Sequence, residues 1–298
     1  MTALLFALAS ALAWGISDFL GGYLSRRLRT ITVIALSQMC GLAAIVCACA
    51  LTGKGFPSET ASLFAFGAGL TGAAGLGAFY QALSIGTISL VAPLAATGVV
   101  VPVLAGLLAG EAVGLIGIAG MFCAMSGVIL ASISNPGPHQ RLSVEVQAHR
   151  ASIILAILAA IGFGAFFTLF HTAATEGLLE AALVQRITSV ALLGSAWIIM
   201  TWRDRQSLEA HPAPGQLSPR SIWVMVGMVI TGVFDMLANI LYGEASITGL
   251  LSLTAMVSSL YPVITVLLAR FVLLERLGGL QQTGVGLALV GIVLISLK

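Results

Sequence analysis

The sequence predicts an all-α membrane protein in which ten transmembrane helices form two inverted five-helix repeats around a central cavity. Three observations predict it: a composition that water cannot solvate, ten apolar runs of spanning length, and an acidic-to-glycine spacing that recurs in the second half. Of the 298 residues, 59% are hydrophobic and 8% charged, with a mean hydropathy of +1.08. A soluble domain carries about 25% charged residues, so lipid is the solvent this composition suits. The 34 glycines point the same way, because small residues let membrane helices approach closely. A net charge of +2 is too small to draw in a nucleic acid.

A bilayer core of ~30 Å needs about 20 apolar helical residues. Runs between polar or turn-forming breaks fall at roughly 2–22, 31–52, 61–83, 87–109, 113–133, 151–172, 179–201, 221–245, 248–270 and 279–297. The first run is apolar from Ala3 and its basic cluster follows it, so it reads as a retained span rather than a signal peptide. Short breaks at Ser84-Ile85-Gly86 and 245–249 are expected to be tight helical hairpins. The longest breaks, 134–150 and 202–220, are polar and contain proline. The first of them divides the chain into a five-helix repeat at 1–133, a cytoplasmic linker at 134–150 and a second repeat at 151–298.

Orientation follows from Lys and Arg. One side holds Arg26, Arg27, Arg29, Arg141, Arg150, Arg203, Arg205, Arg220, Arg270 and Arg276. The other holds Lys54, Arg186 and Lys298, with Arg186 read as a charge near a span end. The richer side is expected to be cytoplasmic and both termini extracytoplasmic. Cys40, Cys47, Cys49 and Cys123 lie in apolar runs without metal-ligand spacing, and read as small buried hydrophobes. No metal or cofactor is expected.

The repeat shows in residue spacing. Gly120 and Gly127 follow Glu111 by nine and sixteen residues, and Gly284 and Gly291 follow Glu275 by the same intervals. Residues 127–132 and 291–296 are nearly the same string. Trp14-Gly15 matches Phe163-Gly164, and Tyr80 and Tyr242 both lie near the ends of third helices. Glycine-rich helices resemble one another through composition, but three agreeing Glu-to-Gly positions favour a true repeat. Five helices is an odd number, so the second copy enters the membrane inverted. Inverted repeats are characteristic of secondary transporters, whose sites lie near the midplane between the repeats.

Several side chains are candidates for that site. An aspartate at the centre of a membrane helix costs roughly 2.5–3.5 kcal/mol on insertion scales. Asp235 is about 3 Å from the centre of its helix, with Asn239 and Tyr242 one and two turns along the same face. This face either meets a polar or cationic group of a solute, or Asp235 makes a structural bond to a neighbouring helix. Asp18 shares a face with Trp14 and either pairs with the arginines that follow or serves as a gate or proton carrier. Trp14 and Phe163 sit near the midplane, where they pack or line a cavity. Tyr261-Pro262 is expected to kink the ninth helix near Ser258 and Ser259, as a hinge or a packing feature. Tyr80 and Tyr242 are placed as opposed gates, Gln38 as an interhelical bond, and Trp197, Trp202 and Trp223 as interfacial anchors. His171 and Glu244 lie near outer helix ends, and His171 either titrates near neutral pH or is merely solvated. Asp235→Ala and Trp14→Ala are expected to lower flux while leaving folding intact. No metalloprotease, nucleophile-elbow or Walker A motif occurs, so the chain does not read as an enzyme. An aspartyl pair of Asp18 and Asp235 is the remote catalytic alternative.

These features resemble the drug/metabolite transporter superfamily, in its ten-helix branch with two EamA-type repeats. The resemblance covers essentially the whole chain. It rests on Ala13-Trp14-Gly15 and on Ser259-Leu260-Tyr261-Pro262 followed by Glu275, Gly284 and Gly291. The first half departs by carrying Gly98 at the Pro position, with Pro102 one turn later. The resemblance implies a bacterial inner-membrane carrier of small organic solutes working by alternating access. Within it the chain is similar to exporters of aromatic or bulky apolar amino acids. Cationic drugs, nucleosides and sugars are the alternative cargo. The expected partners are a small-molecule solute and the bilayer; oligomeric state is left open, and a monomer is compatible.

Overall fold

The computed structural model describes residues 1–25, 27–85, 91, 94–132, 144–206, 221–272 and 278–297, and every regular element among them is helical. Glu275, most of the two long polar breaks, and Arg26, Arg141, Arg220, Arg276 and Lys298 lie outside the described residues. In chain order the helices are α1 (Thr2–Ser25), α2 (Thr30–Thr52), α3 (Glu59–Ile85), α4 (Val100–Leu108, entered through a 3-10 turn at Thr97–Val99) and α5 (Leu115–Ser132). The second half follows with α6 (Val144–Ala174), α7 (Leu178–Gln206), α8 (Ile222–Thr248), α9 (Leu251–Ser258), α10 (Tyr261–Val272) and α11 (Gly279–Ser296). Six of these, α1–α3 and α6–α8, are long and apolar enough to cross a bilayer. Shorter apolar helices cover 94–108, 115–130, 251–265 and 279–295. α6 begins at Val144, earlier than the expected residue 151, because a helix continues past its apolar stretch where polar helix formers such as Glu145 and Gln147 follow.

The packing pairs elements across the two halves. α1 packs on α8, and its repeat counterpart α6 packs on α3. α2 lies against α7 and α8, as α7 lies against α2 and α3. α5 packs directly on α11. Each contact is therefore reproduced when the halves are exchanged, as an inverted repeat requires.

Small residues set these contacts. On α1, Ala7, Ser10, Ala11, Trp14, Ser17 and Gly21 are buried, while Leu5 and Leu12 face outward. The buried set recurs at helical spacing and makes one face. Ser10 Oγ donates to the Ala238 carbonyl at 2.9 Å and Ser17 Oγ to the Thr231 carbonyl at 3.0 Å, tying α1 to α8. At α5–α11 a Cβ on Gly127 would stand 2.4 Å from the Ala288 nitrogen, and one on Gly291 2.5 Å from the Ala124 nitrogen. These glycines are two of those whose spacing marked the repeat.

Both fourth spans are interrupted at the matching place. In the second half α9 stops at Ser258 and α10 restarts at Tyr261, ahead of Pro262. Ser259 Oγ donates to the Met256 carbonyl at 2.7 Å and Ser258 Oγ to the Ala7 carbonyl at 3.4 Å. Ser259 thus meets a carbonyl of the break, and Ser258 ties the break to α1 in the packed interior. In the first half Gly98 sits inside the 3-10 turn, so glycine and proline bend the two repeats by different means.

Glu111, on the loop after α4, caps the start of α9 across the repeat boundary. Its carboxylate accepts from the Leu251 nitrogen at 2.5 Å, the Ser252 nitrogen at 3.0 Å and Ser252 Oγ at 2.5 Å. These donors are the unpaired N–H groups of a helix N-terminus, where negative charge is favoured. Of the four cysteines, all free, Cys49 is buried, Cys40 and Cys123 are half-buried and Cys47 is exposed. The small-hydrophobe reading of burial thus holds for Cys49, whereas Cys47 sits on an outward face of α2.

Candidate functional site

Where the two halves meet, a cavity of about 60 Å³ opens between α1, α2, α3, α6, α7, α8 and α10. One water needs roughly 10–15 Å³ of such space, so the cavity holds a few waters. Six of the eight residues singled out from sequence line it: Trp14, Asp18, Phe163, Asp235, Asn239 and Tyr261. They come from α1, α6, α8 and α10 and are up to 247 positions apart in sequence.

Aromatic rings build one wall. Trp14 packs edge-on to Phe167 at 5.4 Å between centroids and to Tyr261 at 6.2 Å. Phe166 stacks on Phe170 at 5.4 Å. Phe163 faces the cavity from α6 and meets Phe79 behind it at 5.7 Å. Phe166 and Phe167 also line the cavity, and sequence reading missed them. Their place in the run Phe163–Phe167, three and four residues from Phe163 on one helix face, is the signal that could have found them.

Tyr242 and Tyr80, expected as gates, do not line the cavity. Tyr242 is wholly buried behind the aromatic wall, 4.7 Å from Phe167, and donates to the Phe167 carbonyl at 2.9 Å. A buried phenol has to find an acceptor, and this one found backbone on α6 rather than the cavity. Tyr80 lies beneath Asp18 and donates to its carboxylate at 3.5 Å. Gly21 leaves the room for that ring, since a Cβ there would stand 2.2 Å from the phenol oxygen.

Asp18 does not pair with Arg27. Arg27 lies beyond the end of α1, and its guanidinium instead lies 4.4 Å over the Tyr23 ring. Asp235 is held differently. Arg186 Nη1 donates to its Oδ2 at 2.7 Å and Gln38 Nε2 to the same oxygen at 3.0 Å, while Arg186 also donates to Gln38 Oε1. The expected interhelical role of Gln38 is therefore realised, and α2, α7 and α8 converge on one carboxylate. Asp235 is bonded to neighbouring helices, as one of its two readings expected, and it lines the cavity with its side chain 16% exposed.

Arg186 corrects the sequence reading. It is 0% exposed, among the largest fully buried side chains, and eight residues inside α7. That is about 12 Å from the helix start, so it is an internal counter-ion and not a loop charge. Without it, two basic residues rather than three remain on the poorer side, and the bias is unchanged. Trp197 is likewise no free anchor: its indole donates to Thr32 Oγ1 at 3.2 Å on α2. Trp202 and Trp223 are 63% and 81% exposed, as interfacial residues are. Ser258 and Ser259 serve the helix break and stand away from the cavity. His171 is half-buried rather than solvated, and its Nδ1 has no hydrogen-bond partner.

A family model described as EamA-like transporter family matches residues 1–133 and again 150–297. A solved crystal structure aligns with 99% of this chain and 97% of its own length, with a TM-score of 0.71 and 16% sequence identity, a likeness of fold. No curated protein matches the sequence.

Proposed function

We propose, from the premise that this chain belongs to the EamA-like transporter family, that its cavity binds a solute carrying a cationic head and an apolar or aromatic body. The family makes the chain an integral membrane transporter of small solutes. The observation that carries the finer reading is one cavity with an aromatic wall and two carboxylates. Asp235 is balanced by Arg186, whereas Asp18 has Tyr80 as its hydrogen-bond partner and the described residues lining the cavity include no Lys or Arg, so its carboxyl is left for a solute. An ammonium group suits that side, and a ring suits the Trp14 side. A solute carboxylate has the Asn239 amide and the Tyr261 hydroxyl as donors.

Aromatic or bulky apolar amino acids fit this description best, exported across a bacterial plasma membrane with both termini outside. Drug-sized sites run to about 300–1,000 Å³, so a cavity of about 60 Å³ is too small for such a solute. Helices must part to admit a solute, which supports alternating access. Organic cations without a carboxylate are the second reading, favoured by the same Asp18 carboxyl and aromatic wall.

Purified protein in sealed liposomes is expected to give saturable flux of labelled phenylalanine or leucine above that of polar amino acids. Trp14→Ala is expected to lower it about tenfold, equivalent to about 1.4 kcal/mol. Flux confined to organic cations selects the second reading, and unchanged flux in Trp14→Ala removes that ring from the path. For orientation, a cysteine at residue 2 of an otherwise cysteine-free chain should react with an impermeant thiol reagent on intact cells. Reaction only after permeabilisation reverses the topology.

A further inference from the structure

Among the cavity residues is one that sequence reading passed over. Gln185, on α7 beside Arg186, is 4% exposed and its Oε1 has no hydrogen-bond partner. Its orientation is assigned from its neighbours. Ser189 Oγ donates its one hydrogen to the Gly69 carbonyl at 3.1 Å. Toward Gln185 it is left as an acceptor, so the group 3.1 Å away must be the amide nitrogen, Nε2. The chain from Gly69 through Ser189 to Gln185 therefore holds the amide of this cavity-lining residue with its carbonyl buried and unpaired. Buried acceptors are rarely left without a donor.

The geometry points to Gln185 as the residue that makes this carrier discriminate a protonated primary ammonium from a quaternary one. This rests on the carrier reading above. Both ions carry the same charge, and both suit the Asp18 side of the cavity and the faces of Trp14 and Phe163. Charge and aromatic contact do not separate them. N–H donors do: a primary ammonium has three, so it has one to give the Gln185 carbonyl besides those a carboxylate takes. A trimethylated ammonium has none, so it leaves that carbonyl unpaired and sets three methyl groups against it. A site that supplies a dedicated polar partner rejects the analogue lacking its complement.

The test compares phenylalanine with N,N,N-trimethylphenylalanine as transported solutes in liposomes. The wild type is expected to take phenylalanine with a half-saturation concentration at least about tenfold lower, the worth of one hydrogen bond to a charged group. Gln185→Leu should raise that value for phenylalanine about tenfold and leave the trimethylated solute unchanged. Gln185→Glu keeps an acceptor in place and should keep the preference, with both variants checked for a monodisperse profile in detergent. Equal half-saturation for the two solutes in the wild type overturns the role of Gln185 while the carrier reading stands. A preference that survives in Gln185→Leu also overturns it. Absence of flux for both solutes in the wild type defeats the carrier reading for aromatic amines, and this inference with it.

Discussion

Replacing Asp235 by alanine is expected to destabilise the protein by about 3–5 kcal/mol, because it strands a buried guanidinium. Arg186 is 0% exposed, and its Nη2 already has no hydrogen-bond partner. Taking away the carboxylate 2.7 Å from Nη1 leaves Gln38 and Met236 as its remaining bonds, neither of them charged. The expectation that Asp235→Ala spares folding is thereby withdrawn. Arg186→Met should cost less, about 1–3 kcal/mol, since the stranded carboxylate borders the cavity and water reaches it. The double change Arg186→Met/Asp235→Leu should recover most of the lost stability, as replacing a buried ion pair by apolar groups often does. Thermal unfolding in detergent reads all three. Equal stability of Asp235→Ala and wild type refutes the counter-ion role of the pair. Flux separates structure from transport: the double variant should be folded and inactive if Asp235 meets the solute.

Gly232→Ala and Gly98→Ala should each disrupt packing by about 1–3 kcal/mol or more, the range of forced overpacking. A Cβ on Gly232 would stand 1.9 Å from the Ser37 carbonyl oxygen, and one on Gly98 2.1 Å from that of Ala160. Neither obstacle is a side chain that rotates away. The helices themselves have to separate, and in the first case these are α8 and α2. Asp235 and Gln38 lie one turn or less from that contact, so their 3.0 Å bond should open with it. Gly194→Ala and Gly286→Ala are the comparison, because a Cβ at either meets nothing within 4 Å. In those helix interiors alanine is expected to be neutral or stabilising by about 0.5–1 kcal/mol. Unfolding midpoints of the four variants check both halves of the statement. If all four shift alike, close approach is not what selects glycine at 98 and 232.

Much of the site could be read from the chain because a charge inside lipid is conspicuous. Asp18 and Asp235 stood out against apolar neighbours, and Trp14 and Phe163 through their matching places in the two repeats. Arg186 escaped because a basic residue near a span boundary looks the same on paper whether it lies in the headgroups or eight residues inside the bundle. Gln185 escaped with it, being uncharged. Tyr80 and Tyr242 were assigned to the right helix ends, but whether a phenol turns toward a cavity or a backbone carbonyl depends on which acceptor the next helix offers.

By itself the sequence determined that this chain is an integral membrane protein of apolar helices in two related halves. Hydropathy and spacing are properties of consecutive residues, and the cost of burying polar groups in lipid acts on each run separately. Only the tertiary structure decided which polar groups meet. Gln38, Arg186 and Asp235 are separated by 148 and 49 positions, and no local preference couples them. Their meeting follows from helix rotation and depth, which the packing of small residues between helices sets.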